Sequence, residues 1–487
     1  MTDRTQQVEQ LDVVIVGAGI SGIGAGYELQ RSHPDKTFAI VDMRDDIGGT
    51  WDLFRYPGIR SDSDMYTLGY SFEPWTQSKA LAPAATIKEY LRAPLHRAGL
   101  DRRLRLGHRL TSASFDTTTD RWTLALQTAE GCRVIECSFL YLGSGYYSYS
   151  GGYNPELPGE DQFSGMILHP QEWPEDLDYA GRRVAVIGSG ATAVTLVPSL
   201  AESAEHVVMV QRSPTYVVNE VSVDEEADRL REEVGPAEAF TRIRLRNIQA
   251  QQDRYREARE NPEAYKKEIF DAIDEMVGED IRAQHFTPAY QPWDQRVCAV
   301  PDGDLFKAIR AGRAEVVTGT ISTLNEHGIV MADGTVVEAD IIVKATGLNI
   351  MPGGEARYTV DGVEVDFSST FTYKGLAYSG VPNLFFAFGF LNSSWTLRLE
   401  LVNEFWSRVL KHMDATGATR VTPTLADGEE SMQRRPFIAD VNSSYFVRSL
   451  SRFPSQGTPP WTNPQDYRLT QEMLADDPDD GWLRFTG

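Results

Sequence analysis

Two glycine-rich turns contain the residue types and spacings that first suggest chemistry. Gly17, Gly19 and Gly22 follow the β-branched run DVVIV of residues 12–16. Glycines at this spacing allow a tight turn, close approach of the backbone to a diphosphate, and packing of the next helix on the strand. The next apolar run ends in Asp42, and an acid there binds ribose hydroxyls and favours a free 2′-OH. The order of strand, glycine turn, helix, strand and acid predicts a dinucleotide site for FAD or NAD.

The second turn follows the apolar residues 184–187, and four of its residues are predicted to bind a cofactor: Gly188, Gly190, Thr192 and Ala193. The next run, HVVMVQRSP, ends without an acid and carries Arg212 and Ser213 instead. A cation beside a hydroxyl suits a ribose 2′-phosphate, so this site is predicted to bind NADPH. An ordinary solvated surface arginine is the alternative for Arg212.

Two sites of this kind predict an α/β fold with two Rossmann-type dinucleotide-binding domains, and a flavoenzyme that takes hydride from NADPH. A disulfide reductase is one alternative, because Cys132 and Cys137 are close in sequence. They lie in a strand-like run, and side chains five residues apart on a strand face opposite sides. We therefore expect both cysteines to be inert. A non-enzymatic redox sensor that binds NADPH is a further alternative.

The composition narrows the function classes. The chain has 487 residues, a formal net charge of −23 and three cysteines. So acidic a protein is not expected to bind nucleic acid, and so few cysteines indicate a reducing compartment. No signal peptide is apparent in the polar N-terminus, and no apolar run approaches the ~20 residues of a membrane span. These features predict a cytoplasmic protein without a transmembrane segment.

Two further motifs carry a family resemblance. GGTWDLFRYPGIRSD (48–62) contains Gly49, Trp51, the Tyr56–Gly58 triplet and Asp62, and FSGMILHPQEWP (163–174) follows later. The second motif matches at five positions: Phe163, Gly165, His169, Trp173 and Pro174. These motifs resemble the two fingerprints of the type I Baeyer–Villiger monooxygenases, and the likeness extends along nearly the whole chain. Stretches such as VIGSGATAVTLVP and PWDQRVC resemble the ethionamide-activating branch of that family.

The resemblance implies an activity. In this family NADPH reduces FAD, and O₂ then forms a C4a-peroxyflavin that converts ketones into esters or lactones. Sulfides are expected to be oxidised to sulfoxides by the same cofactor. The implied partners are FAD, NADPH, O₂ and a small-molecule ketone or sulfide. A flavin monooxygenase that acts mainly on sulfur or nitrogen atoms remains the alternative.

The resemblance also implies the active-site residues. The family's cation falls on Arg296 and its partner on Asp62, which could bind the guanidinium in bidentate fashion. The alternatives are a structural salt bridge for Arg296 and a turn-capping role for Asp62, with Asp64 as local competitor. Many family members have a lysine where this chain has Gln295, which would place more of the NADPH recognition on Arg212–Ser213.

Other residues are expected around the flavin or the nicotinamide cofactor. Gly49, Thr50 and Trp51 are predicted to lie beside the flavin, and Asn392 and Ser394 precede a helix that could point at its pyrimidine ring. Plain capping of that helix is compatible with this placement. The second site is completed by a short motif near the end of its domain: Ala345, Thr346 and Gly347.

The order of the motifs predicts the domain organisation. Residues 1–149 and 381–487 are predicted to bind FAD, and residues 150–216 and 296–380 to bind NADPH. Residues 217–295 are predicted to form a charged helical insertion, with breaks at Gly235-Pro236 and Asn261-Pro262.

The second fingerprint is predicted to be a packed linker between the two dinucleotide-binding domains. Its Phe163, Gly165, His169 and Trp173 would fix how the NADPH-binding domain docks. His169 has no nucleophile or metal ligand near it in sequence, so neither a general-base role nor a metal site is predicted.

Overall fold

A computed structural model of the chain describes residues 8–439 and 442–487. Residues 1–7 lie outside the described residues. They begin the predicted FAD-binding segment and belong to the N-terminus predicted to lack a signal peptide. Residues 440–441 also lie outside the described residues. Within the described ranges, no helix combines the length and the apolar character that crossing a membrane requires.

The first part of the chain forms most of an 11-stranded sheet. Its elements, in chain order, are β1 (Glu9–Val16), α1 (Ile20–Ser32), β2 (Phe38–Val41), α2 (Thr50–Leu53), α3 (Met65–Leu68), α4 (Ala84–Arg97), β3 (Leu104–Arg105), β4 (Arg109–Asp116), β5 (Arg121–Thr128) and β6 (Gly131–Leu142). β1 pairs in parallel with β2 and β6, and β4–β6 form an antiparallel meander. The alternating side chains of β1 enter two cores: Val13 and Ile15 pack with α1 and α4, and Val14 packs with β4 and β5.

The middle of the chain forms a second, parallel sheet of five strands in the order β12-β9-β8-β16-β7. Its elements are β7 (Met166–Leu168), β8 (Arg183–Ile187), α5 (Ala191–Leu200), β9 (His206–Gln211), β10 (Val217–Glu220), α6 (Glu225–Val234), α7 (Pro236–Glu260), α8 (Pro262–Val277), α9 (Glu279–His285), β11 (Cys298–Pro301), α10 (Asp304–Arg310), β12 (Ala314–Thr318), β13 (Ile321–Asn325), β14 (Gly328–Met331), β15 (Val336–Glu338) and β16 (Ile341–Lys344). Val184 and Val186 face α5 and α10, whereas Ala185 and Ile342 face the small antiparallel sheet β13–β15.

The helices α6–α9 form the charged helical segment expected between the halves of the second unit. α7 begins at Pro236 after Gly235, and α8 begins at Pro262 after Asn261, as the sequence predicts. Proline suits the first helical position because its missing N–H has no helical partner there. The segment is bracketed by β10 and β11, which pair in parallel with each other.

The end of the chain returns to the first sheet. Its elements are β17 (Arg357–Val360), β18 (Val363–Glu364), β19 (Thr372–Tyr373), β20 (Ala377–Tyr378), β21 (Leu384–Phe386), α11 (Trp395–Thr416), β22 (Arg420–Pro423), α12 (Ser444–Val447), α13 (Tyr467–Ala475) and β23 (Leu483–Thr486). β17 pairs with β4 and β21 pairs with β6, both in parallel. The strands β17–β21 therefore belong to the first sheet from residue 357 on, which differs from the predicted boundary at 380.

The second fingerprint also differs from the predicted linker. Residues 166–168 form β7, the edge strand of the second sheet, which pairs with β16 through Ile167 and Ile342. Phe163 is buried in the core between this sheet and β13–β15. The segment MIL is short but apolar, and pairing with β16 half-buries Ile167 and Leu168 and satisfies backbone groups on one side, while Met166 stays exposed. Only the flanking residues remain connecting chain.

Candidate functional site

The first glycine turn connects β1 to α1 with little space between the two elements. A Cβ at Gly22 would lie 1.8 Å from the carbonyl oxygen of Gly17, and one at Gly17 would lie 2.4 Å from the carbonyl oxygen of Gly143. Gly17 also has φ +108°, a backbone conformation that side chains other than glycine rarely adopt. The turn thus needs glycine for its own packing, and it leaves the start of α1 open toward the carboxyl edge of the sheet.

Asp42 follows β2 at the same edge. Its Oδ2 accepts a hydrogen bond from Ala18 N–H at 2.7 Å, and its Oδ1 accepts one from Arg44 N–H at 2.9 Å. Burial raises the pKa of this carboxyl group, while the two backbone amides act in the opposite direction. Each carboxylate oxygen keeps a further lone pair, so the side chain can both hold the glycine turn and accept from a ribose.

A cleft of about 1570 Å³, its open mouth included, lies along this edge of the first sheet. It brings together eight residues that the sequence predicts to be functional: Gly17, Gly19, Asp42, Gly49, Thr50, Trp51, Asp62 and Arg296. A Cβ at Gly19 would come 3.3 Å from the Cα of Gly49, so two bare backbone segments form one end. Trp51, Trp395 and Phe390 add aromatic side chains to its walls. A diphosphate with a flat ring system attached, such as FAD, fits this combination.

Arg296 and Asp62 form an ion pair in the wall of the cleft. Arg296 Nη2 donates to Asp62 Oδ2 at 3.1 Å, and the two side chains are 29% and 40% exposed. The bidentate pairing considered for these residues is not present, because a single hydrogen bond joins them. Burial alone would lower the pKa of Arg296, but Asp62 and the surrounding phenols raise it well above its ordinary value. The arginine therefore stays a cation at any physiological pH.

Three tyrosines around Arg296 were not predicted from the sequence. Tyr146 and Tyr147 line the cleft directly after β6, and their hydroxyl groups lie 3.1 Å apart. Tyr445 comes from the C-terminal part, where burial raises its pKa to about 12 although Arg296, which also hydrogen-bonds to it, acts to lower it. The Gly143–Gly145 turn after a central parallel strand was a signal for the first two. We find no sequence signal for Tyr445.

The start of α11 is arranged differently from the prediction. Asn392 donates from Nδ2 to the carbonyl oxygen of Gln465 at 2.7 Å, and buried Ser394 shares a 2.6 Å hydrogen bond with Thr67. Neither residue lines the cleft; their neighbours Ser393 and Trp395 do.

The side chain that caps this helix comes from another helix. Gln251 of α7 accepts from Ser394 N–H at 3.1 Å and from Ser393 Oγ at 2.8 Å. It therefore takes the place that a serine N-cap was expected to fill, and it ties the helical insertion to the wall of the cleft.

The second glycine turn packs against the motif that ends the second sheet. A Cβ at Gly188, which has φ +144°, would lie 2.3 Å from the carbonyl oxygen of Ala345, whereas one at Gly190 would meet nothing within 4 Å. The fold thus requires glycine at position 188, and position 190 faces free space that a diphosphate could enter.

The expected phosphate-binding side chains follow β9 on the surface. Arg212 and Ser213 are exposed, and among the described residues Arg212 has no ion pair. The carbonyl group of Ser213 accepts from Ser189 Oγ at 3.2 Å, which ties the end of β9 to the glycine turn. A free guanidinium beside an open backbone turn fits a phosphorylated ribose.

His169 holds the second fingerprint to the Ala345–Gly347 motif. Its Nε2 lies 3.0 Å from the carbonyl oxygen of Gly347, and its Nδ1 lies 3.2 Å from the N–H of Gln171. Because Nδ1 faces a donor and Nε2 an acceptor, the ring is neutral with its proton on Nε2. Burial lowers the pKa of His169, in agreement with this state. The imidazole is used for packing, since a Cβ at Gly152 would lie 1.9 Å from its Cε1.

The remaining fingerprint residues also pack. A Cβ at Gly165 would lie 2.3 Å from the carbonyl oxygen of Asp340, so only glycine fits there. Trp173 meets Tyr179 edge to face at a centroid distance of 6.3 Å. Thr346 Oγ1 donates to the carbonyl oxygen of Tyr153 at 2.6 Å.

The cysteines behave as predicted. Cys132 is exposed and Cys137 is buried on the single strand β6, and both are free thiols. Five residues along a strand separate them by roughly 16 Å, too far for a disulfide. This arrangement argues against a disulfide reductase.

The chain is similar to known flavin-dependent proteins along nearly its whole length. Residues 15–78 match the family described as an NAD(P)-binding Rossmann-like domain, and residues 87–228 match the family described as flavin-binding monooxygenase-like. Over 482 residues, covering 98% of each chain, this chain is 46% identical to the FAD-containing monooxygenase EthA of Mycobacterium tuberculosis. The chain belongs to the FAD-containing monooxygenases. It is also 40% identical to the probable FAD-binding monooxygenase AlmA of Acinetobacter baylyi, with 98% of this chain and 96% of that one covered.

Solved structures share the fold of this family member. An oxidized steroid monooxygenase bound to NADP has a TM-score of 0.80 at 24% identity, over 98% of this chain and 99% of its own. A cyclohexanone monooxygenase from Rhodococcus sp. Phi1 bound to NADP⁺ has a TM-score of 0.77 at 23% identity, over 99% of this chain and 100% of its own. The predicted α/β fold with two Rossmann-type domains is confirmed.

Family membership settles the broad function. The predicted resemblance and the predicted enzyme, an FAD-containing monooxygenase that uses a nicotinamide cofactor, are confirmed. The alternative of a non-enzymatic redox sensor is not supported, because the named relatives that match over nearly the full chain are monooxygenases.

Proposed function

We propose that this enzyme uses NADPH and O₂ to insert one oxygen atom into ketones, giving esters or lactones, and that it also oxidises sulfides to sulfoxides. The observation that carries the proposal is the ion pair of Arg296 and Asp62 in the wall of the flavin cleft. Attack on a ketone carbonyl needs an anionic oxygen nucleophile. A fixed cation next to the reacting oxygen lowers the energy of that charge, and Arg296 supplies one.

Asp62 is proposed to hold the guanidinium of Arg296 in place. A lone arginine side chain has many rotamers, and an anion that is itself anchored reduces that freedom. The phenols of Tyr146 and Tyr147 would close the cleft beside the cation and keep water away. Water exclusion strengthens the attraction between the cation and the developing negative charge.

FAD would supply electrons and activate O₂, and the first cleft would hold it. The backbone at Gly17 and Gly19 would bind the diphosphate, and Asp42 would accept from the ribose hydroxyls. Gly49, Thr50 and Trp51 line the same cleft and would contact the flavin ring. Asp62 lines the same cleft and would therefore lie close to the flavin ring.

NADPH is proposed to bind at the second glycine turn. Gly188, Gly190, Thr192 and Ala193 would form the diphosphate site at the start of α5, and the Ala345–Gly347 motif would close it from the side. The exposed pair that follows β9, Arg212–Ser213, would bind the 2′-phosphate. With Gln295 before the active-site arginine, this pair is the main proposed source of preference for NADPH over NADH.

The proposal is tested with purified enzyme, NADPH, and a panel of 2-alkanones and aryl methyl sulfides, with identification of esters and sulfoxides. Arg296→Ala should abolish ester formation while the flavin is still reduced by NADPH, and Arg296→Lys, which keeps a cation, should retain part of the activity. Esters formed at the wild-type rate by Arg296→Ala would contradict the assigned role. Sulfoxides without any ester from the wild-type enzyme would favour the heteroatom-oxidising alternative.

A further inference from the structure

The first fingerprint, besides lining the flavin cleft, touches the second unit before it reaches Asp62. The hydroxyl of buried Tyr56 hydrogen-bonds to the side chain of Thr192 in α5. Gly58 lies against the same helix, since a Cβ there would come 1.9 Å from Ser199 Oγ and 3.1 Å from the carbonyl oxygen of Thr195. The segment between Trp51 and Asp62 is therefore in contact with both units.

Arg60 makes a third contact across the same boundary. Its backbone is fixed to the first unit, because the N–H of Ala84 donates to the carbonyl oxygen of the neighbouring Ile59 at 3.0 Å. Its guanidinium reaches α10, where Nη2 lies 3.2 Å from Asp304 Oδ2. The side chain of Arg60 is 12% exposed and that of Asp304 is 33% exposed, so the arginine end of the pair is the one shielded from water. The contact is an ion pair without a hydrogen bond, since Arg60 Nη2 has no hydrogen-bond partner among the described residues. Burial lowers the pKa of Arg60, and burial raises the pKa of Asp304 against the attraction of Arg60.

The two ion pairs have opposite polarity and join the same two stretches of chain. One stretch offers Arg60 and then Asp62, and the other offers Arg296 and then Asp304. Sliding one stretch along the other would bring like charges together, and like charges repel. Two ion pairs of opposite polarity therefore define one alignment of the two stretches of chain, which a single pair cannot do.

We propose that Arg60 and Asp304 are a positioning pair that fixes the alignment in which Asp62 meets Arg296. The pair Asp62–Arg296 has one hydrogen bond and is partly exposed, so a neighbouring contact can add to the fixing of its geometry. Arg60 is better shielded than Arg296, and neither Arg60 nor Asp304 lines the cleft. This inference rests on the proposed function only where oxygen insertion is the readout.

The first test uses unfolding and needs no oxygenation. A double-mutant cycle combines Arg60→Met with Asp62→Asn and measures the free energy of unfolding by denaturant for the enzyme with FAD bound. If Arg60 positions Asp62, the losses of unfolding free energy from the two substitutions should be non-additive, since each substitution removes the same alignment of the two stretches. Losses that add within error would overturn the proposal. Arg55→Met is the matched control, because Arg55 lies in the same fingerprint but pairs with exposed Glu175 and with Asp52 rather than with the second unit's α10.

The second test uses turnover. Arg60→Met should retain FAD and its reduction by NADPH, but the ester formed per NADPH consumed should fall about tenfold or more, as misplaced catalytic groups cause. Arg60→Lys, which keeps the cation, should recover part of this ratio. An unchanged ratio in Arg60→Met would overturn the proposal, as would a ratio in Arg60→Lys no higher than that in Arg60→Met.

The two tests separate the two claims. If the wild-type enzyme forms no ester from any ketone, the proposed function fails, and the unfolding cycle still decides the role of Arg60. If esters form but the cycle is additive, the proposed function stands and the positioning role is wrong.

Discussion

Replacing Asp62 by asparagine removes one charge from the active-site pair and keeps the size of the side chain. For unit charges 3.1 Å apart the attraction is about 5 kcal/mol at an effective dielectric constant of 20 and about 1 kcal/mol in bulk water. Since Asp62 is 40% exposed, the effective value belongs in the lower part of that range, at about 1–3 kcal/mol. If this energy holds Arg296 in place, the rate of oxygen insertion should fall about 10- to 100-fold.

The assay compares ester formed, NADPH consumed and hydrogen peroxide released under air. Asp62→Asn should keep its FAD and consume NADPH, with more of the consumption lost as peroxide. Asp64→Asn is the matched control, because Asp64 caps α3 through Thr67 N–H and asparagine can accept the same hydrogen bond. Unchanged ester yield in Asp62→Asn, or an equal loss in Asp64→Asn, would refute the assigned role of Asp62.

Three further outcomes are expected. Arg212→Ala should raise the KM for NADPH about tenfold or more and leave that for NADH nearly unchanged, because only NADPH carries the phosphate; steady-state kinetics with both cofactors would show this. His169→Ala should slow flavin reduction in stopped flow without loss of FAD. Burial lowers the pKa of His169, so below about pH 6.5 the unfolded chain takes up a proton that the folded chain does not, and the wild-type enzyme loses stability. The variant lacks this group and should lose less stability over the same pH range. Gly58→Ala should lower the free energy of unfolding by about 2–4 kcal/mol, because residue 58 has φ +78° and its new Cβ would press on Ser199. Adding Ser199→Gly should restore part of this loss, as measured by denaturant unfolding.

The parts predicted from sequence are those with local physical causes. Glycines at 17, 22 and 188 are required by turns and close contacts within one strand–turn–helix unit. The ends of α6 and α7 follow from Gly235-Pro236 and Asn261-Pro262. Periodicity and turn chemistry act over a few residues, so a single sequence shows them directly.

The parts that sequence did not predict depend on residues far apart in the chain. The sequence predicts a linker for the short segment MIL, because the strand that it pairs with, β16, lies about 175 residues later. Residues 357–360 join the first sheet by pairing with β4, and residues 372–378 join it through β21. Gln251 caps a helix more than 140 residues away, which no spacing in the sequence signals.

By itself, the sequence determined the two dinucleotide-binding units, the family and the two residues proposed for the chemistry, because turns, strand ends and fingerprints are written in contiguous residues. Only the tertiary structure decided that Asp62 and Arg296 meet through a single hydrogen bond, that Tyr445 joins them, and that Arg60 and Asp304 form a second pair of opposite polarity beside them. The physical reason is that ion-pair geometry and desolvation depend on how separate stretches of chain pack, and packing is a property of the folded whole.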